Sequence, residues 1–302
     1  MRKLYLHLGA HKTASTLYQR KLAIASAINE LKIISVHQQD REQYVSFRIG
    51  YSKIVNDIEV NHHDADALAS KEQALAELIE QYLAKFTQPS ILWSDENLLG
   101  TPIGHRVGQS GDFSTRLYPV SASIAKAFAI ATRNFDVKVL LLTRELESFL
   151  LSSYKDWIYK LDQPDSLSEF VNRIELADCR WQSVIKPWRE NFADSACFVD
   201  NFEHFKAEPQ QVIAWMWLWA NLPLSAINLQ NLPQINSGLN AGQIEVALNL
   251  IPLLKPEAKA STQIYLKQLP VDNVKLKLAQ STRLQVIEHR ENVSLLNLNA
   301  SV

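Results

Sequence analysis

The chain has 302 residues, 47% of them hydrophobic and 21% charged, the proportions of a soluble globular protein able to bury a large core. Its 31 basic and 32 acidic side chains nearly cancel, so no general positive field favours nucleic acid, and any bound anion must be held by local placement. Two cysteines, Cys179 and Cys197, are too few for a disulfide scaffold and lack metal-ligand spacing, which fits a reducing cytoplasm, and the histidines show no zinc-helix pairing.

In chain order, Lys3–Gly9 reads as an apolar strand that runs through a polar loop into an amphipathic helix, with no secretory leader before it. Lys32–His37 is a second strand. Residues 38–65 carry no clear period, include His62-His63-Asp64, and read as a long loop. Over 67–86, Leu75, Leu78, Ile79, Tyr82, Leu83 and Phe86 recur at helical spacing until Gln88-Pro89 ends the run. Ser90–Ser94 is the third strand, and the stretch 98–122, rich in Gly, Pro and Ser, is a second long connection; both connections are candidate acceptor-side loops. Val137–Thr143 is apolar on both alternating positions, as a strand covered on both faces requires, and a helix follows it. Ser166 and Glu169 form a capping-box start, Ala196–Asp200 is the fifth strand, and Glu208-Pro209 opens another helix. Val212–Leu224, with Trp215, Trp217 and Trp219, is apolar but well short of the ~20 residues of a membrane span, so it predicts a buried helix. From Asn236 the pattern is helical, with Asn240 as a cap and no new strand.

Strands alternating with helices imply an α/β fold with a central parallel five-stranded sheet flanked by helices and ligands at the carboxyl ends of strands. A single domain over 1–302, with 236–302 as its helical C-terminal extension, is the economical organisation, since no composition shift or repeat divides the chain.

Three places carry chemistry. The first strand, loop and helix make a phosphate cradle, because backbone N–H groups at a helix start lack intrahelical partners and sit at the positive end of the helix dipole. Lys12 adds a point charge, and Thr13, Ser15 and Thr16 add hydroxyls. The ATP-type loop does not fit, since aligning Gly9 and Thr16 to it puts Ala14 at its second Gly and Ser15 at its Lys. Second, Arg144 ends a strand and Ser152 lies about two helical turns later, a guanidinium fork and a hydroxyl suited to a doubly charged phosphate. Third, Ile91-Leu92-Trp93-Ser94 delivers Asp95 and Glu96 at a strand end, where alternation turns at most one of them to a ligand. His7, on the first strand, and His11, in the loop, are each placed to donate to an oxyanion or to assist an acceptor.

In these places the chain resembles the sulfotransferases of bacterial type. His11-Lys12-Thr13-Ala14-Ser15-Thr16 is similar to their His-Lys-Thr-Gly-Thr-Thr loop, with Ala14 for Gly and Ser15 for Thr. Arg144 and Ser152 resemble the pair that binds the donor's 3′-phosphate, although Glu145-Leu146 replaces the usual Asn-Pro or Asp-Pro. Glu96 matches the Glu of their Ser-x-Glu, which acts as base. Leu117-Tyr118-Pro119, Ser166–Phe170, Trp188–Phe192 and Asp200–Glu203 follow in the family's order.

The resemblance implies the P-loop nucleotide-kinase-like sulfotransferase fold and a cytoplasmic enzyme. Its donor would be 3′-phosphoadenosine-5′-phosphosulfate (PAPS), with the 3′,5′-bisphosphate PAP as product, no metal, and an acceptor hydroxyl on a glycan, lipid or small molecule. Lys12, Glu96 and His11 are then the expected catalytic residues, and His11, Lys12, Thr13, Ala14, Ser15, Thr16, Arg144 and Ser152 the donor site. A small-molecule kinase using ATP and magnesium with Asp95 or Glu96, and a non-catalytic nucleotide-binding protein of the same fold, are the alternatives. Neither a nucleic-acid partner nor a membrane span is expected.

Overall fold

The structure, a computed structural model, describes residues 1–11, 17–19, 22, 30–35, 41–61, 64–107, 112–160, 164–227 and 239–270. The expected loop residues Lys12, Thr13, Ala14, Ser15 and Thr16, the pair His62-His63 and everything after 270 lie outside the described residues.

Its centre is a fully parallel sheet of β1 (Arg2–Gly9), β2 (Leu31–Ile34), β3 (Ser90–Ser94), β6 (Phe135–Thr143) and β7 (Cys197–Asn201), in the order β2-β3-β1-β6-β7. A two-stranded antiparallel hairpin, β4 (Arg106–Val107) and β5 (Asp112–Phe113), stands apart from it. Each expected strand is present within a few residues, because each buries both faces. On β1, Leu4, Leu6 and Leu8 enter one apolar cluster and Tyr5 the other, while on β6 Val139 and Leu141 oppose Leu140 and Leu142.

The larger cluster is filled from α1 (Arg41–Val60), α2 (Ala65–Leu83), α3 (Ser121–Ala131), α4 (Leu146–Tyr159), α5 (Leu167–Asn172) and α6 (Trp181–Phe192). The short α7 (Phe202–Ala207) follows β7, and α8 (Pro209–Trp219) covers the other sheet face with Ile213, Met216, Trp217 and Trp219, as the buried-helix expectation requires. Pro209 stands in the first turn of α8, and capping boxes Ser166/Glu169 and Asn240/Gln243 open α5 and α9 (Ala241–Leu250). Ile244 and Ala247 of α9 and Leu266 of α10 (Lys259–Gln268) join the larger cluster. No helix among the described residues is long and apolar enough to cross a membrane.

Two expectations need correction. The supposed loop 38–65 contains α1, whose buried Tyr44, Phe47, Tyr51, Val55 and Ile58 step by three or four residues. That stripe is one residue wide per turn, and the polar residues between its members hide the period. The stretch 98–122 is likewise partly ordered by the hairpin and by the start of α3. Its Gly104 has φ +75°, and a Cβ there would come within 2.6 Å of the Phe170 ring, so both backbone and packing demand glycine.

The chain builds β2 and β3 on one side of β1 and then β6 and β7 on the other. That reversal is a topological switch point, and in open α/β sheets ligands usually bind beside such a point at the carboxyl ends of the strands, here β3, β1 and β6.

Candidate functional site

Register brings the three chemical places to this edge. His7 pairs with Ser94 and Gly9 with Leu142, so Glu96, His11 and Arg144 each leave the sheet two residues beyond a paired row.

His11 is fixed by Tyr118. The His11 backbone N–H donates to the Tyr118 hydroxyl at 2.8 Å, and the same oxygen lies 2.9 Å from His11 Nδ1. The phenol oxygen accepts from the backbone and also bridges to the ring nitrogen, so one hydroxyl holds both the main chain and the side chain of His11. Tyr118 is buried at φ +48°, a left-handed conformation rare outside glycine. Burial, together with the nearby Glu96 charge, pushes its phenol well above the ordinary range and keeps it neutral. Beyond His11 lies the His105 ring, at 5.6 Å between centroids. His105 Nδ1 is 3.2 Å from Lys160 Nζ, and its Nε2 is 3.4 Å from Asp156 Oδ2.

The two adjacent carboxylates differ. β3 stops at Ser94, so strand alternation does not govern the residues after it. Asp95 instead caps the short 3-10 turn Glu96–Leu99, accepting from Asn97 N–H at 2.9 Å and from Asn97 Nδ2 at 2.6 Å. Its other oxygen takes the Tyr44 hydroxyl and faces Arg48 Nε at 3.4 Å. Asp95 is fully buried and committed to structure.

Glu96 is half-buried, and its Oε2 accepts from Gln19 Nε2 at 3.1 Å. Gln19 donates equally to the Ser94 carbonyl, and the Ser94 hydroxyl lies 2.8 Å from His7 Nδ1. His7 is buried edge-on against Tyr18, and burial lowers its pKa to about 3, so it is neutral near neutral pH. Sequence reasoning missed Gln19 because its partners are distant in the chain.

On the β6 side, Arg144 Nε donates to Ser148 Oγ at 2.9 Å, and the guanidinium lies over the Phe202 ring at 5.1 Å. Burial pushes the Arg144 pKa down, with Glu203 opposing the shift. Ser152 is one turn beyond Ser148 on α4, and Lys155 is one turn further along the same face. Lys155 is half-buried, with its pKa lowered first by burial and then by the Arg144 charge, and has no carboxylate partner among the described residues. The helical spacing from Ser152 was a signal that could have found Lys155. No group of three or more His, Cys, Asp or Glu side chains able to hold a metal occurs among the described residues.

The chain matches no protein-family profile and no curated protein. Among solved structures, it is similar to a sulfotransferase from Alicyclobacillus acidocaldarius over 90% of this chain and 97% of that one, at 12% identity and a TM-score of 0.44.

Proposed function

We propose that the protein transfers a sulfuryl group from PAPS to an acceptor hydroxyl. The observation that carries this reading is the pair of half-buried cations, Arg144 and Lys155, which repel one another beside the hydroxyls of Ser148 and Ser152 at the sheet's carboxyl edge. A phosphate dianion relieves that repulsion and fits the fork, the ammonium and the hydroxyls, which suits the donor's 3′-phosphate. The sequence of the His11–Thr16 segment suits its 5′-phosphosulfate.

In the proposed reaction the acceptor oxygen attacks sulfur in line, and its proton passes to Glu96. The S–O bond to the 5′-phosphate breaks, and PAP leaves with the bonding electron pair. Lys12 meets the charge that grows on the bridging oxygen, and His11 offers a ring N–H to a sulfuryl oxygen. Gln19 holds one oxygen of Glu96 as an acceptor, whereas Asp95 is occupied by Tyr44, Arg48 and Asn97. A magnesium-dependent kinase using Asp95 would have to break that set.

Calorimetric titration with PAP, beside ATP with magnesium, tests the reading. PAP is expected to bind more tightly, and transfer from PAPS to a panel of hydroxyl acceptors should be detectable. Binding of ATP with magnesium and none of PAP would overturn it, and PAP binding with no transfer to any acceptor would favour the non-catalytic alternative.

A further inference from the structure

Gln19 is completely buried between the core residues Leu17, Tyr18 and Leu22, where an apolar side chain would be the cheaper occupant. Its Nε2 lies 3.1 Å from the Ser94 carbonyl oxygen and 3.1 Å from Glu96 Oε2. Both atoms are acceptors, so the amide must present its NH2 group to them, because the reversed amide would set oxygen against two oxygens. The amide oxygen has no hydrogen-bond partner among the described residues, a cost that packing does not explain. Ser94 is itself held through its hydroxyl by His7, so the anchor of this bridge is rigid on both sides.

We infer that Gln19 is a positioning residue, whose amide clamps one oxygen of Glu96 to the end of β3 and so sets the direction of the carboxylate before the acceptor arrives. The inference rests on the proposed reading of Glu96 as the base. A carboxylate at the end of a flexible side chain otherwise samples several rotamers, and fixing it in reach of the proton removes that search from the barrier. Gln19 also follows directly on the segment assigned to the donor's phosphosulfate, so one short stretch of chain would set both donor and base.

The test is a double-mutant cycle with Gln19→Met and Glu96→Gln, read as single-turnover transfer with melting temperature on the same preparations. Gln19→Met is expected to lower kcat about tenfold with both KM values within about twofold, and to change the rate less than about twofold when Glu96→Gln is already present. If Gln19→Met does not fold, Gln19→Leu replaces it, removing the amide with a more compact apolar side chain, with the same loss expected and the same dependence on Glu96. An equal loss from the Gln19 variant in both backgrounds overturns the inference, as does a folded variant with unchanged kcat. A fully active Glu96→Gln protein overturns the base assignment and this inference together, whereas an inactive one beside an unaffected Gln19 variant removes only the clamp.

Discussion

The two sides of β1 treat polar groups in opposite ways at the sheet's carboxyl edge. On the β3 side, Asp95, Ser94, the Gln19 NH2 group and His7 Nδ1 find partners within the protein, with Tyr44, Arg48 and Asn97 completing the set, and only Gln19 Oε1 and His7 Nε2 of these four side chains are left over among the described residues. On the β6 side, the Arg144 charge adds to burial in lowering the Lys155 pKa, while burial lowers the Arg144 pKa against the opposing charge of Glu203. Groups that satisfy one another give the site its shape, while two cations brought together indicate what the site holds. The contrast is sharpest between neighbours, since Asp95 is fully buried in the scaffold and Glu96, one residue later, is half-buried with one oxygen held by Gln19.

The largest expected effect breaks that contrast if it fails. Glu96→Gln keeps the size of the side chain but cannot accept a proton, and should slow sulfuryl transfer about a hundredfold or more with its melting temperature unchanged. Asp95→Asn should do the reverse. It removes the charged acceptor of Tyr44, Arg48 and Asn97, and should cost about 2 kcal/mol in denaturant unfolding while the folded fraction still transfers sulfate. If Glu96→Gln melts lower and stays active, or Asp95→Asn is stable and inactive, the roles are exchanged.

The β6 side is tested by nucleotide affinity. Arg144→Ala should weaken PAP by about 2 kcal/mol, roughly thirtyfold, and hardly change the affinity of the nucleotide that lacks the 3′-phosphate. Equal losses for both nucleotides would move the 3′-phosphate away from Arg144.

Much of this was legible in the sequence where the signal is local. A strand buried on both faces is a short apolar run, and all five stand where such runs occur. Arg144 and Glu96 were readable because each is a charged residue at the end of such a run. What depends on contacts across the chain was not. Gln19 acts on Ser94 at the end of β3 and on Glu96 in the turn after it, Tyr118 acts on His11, and nothing near those residues announces the pairing. The role of Asp95 was hidden because it depends on where β3 ends and a capped turn begins, the least readable property of an element. Ser152 was read as sharing a phosphate with Arg144, whereas Ser148, one turn earlier on the same face, went unread although Arg144 Nε donates to it.

The smallest expected effect is the most specific to the β6 side. Lys155→Ala should weaken PAP about tenfold, the scale of one charge-assisted contact at a half-exposed position. The wild-type affinity should also depend on alkaline pH. Burial and Arg144 lower the Lys155 pKa below that of a free lysine, so its proton leaves before the ordinary pH of about 10.4. A bound dianion favours the protonated form, and the affinity it gains is therefore complete at lower pH and lost as pH rises through the Lys155 titration. The phosphate is already dianionic above about pH 7 and contributes no trend of its own. A guanidinium stays charged throughout this range, so Lys155→Arg should bind PAP with a flatter profile than wild type between about pH 7 and about pH 10. Parallel profiles for the two proteins would show that the ammonium of Lys155 does not meet the phosphate, and the cationic pair would then be a feature of α4 alone.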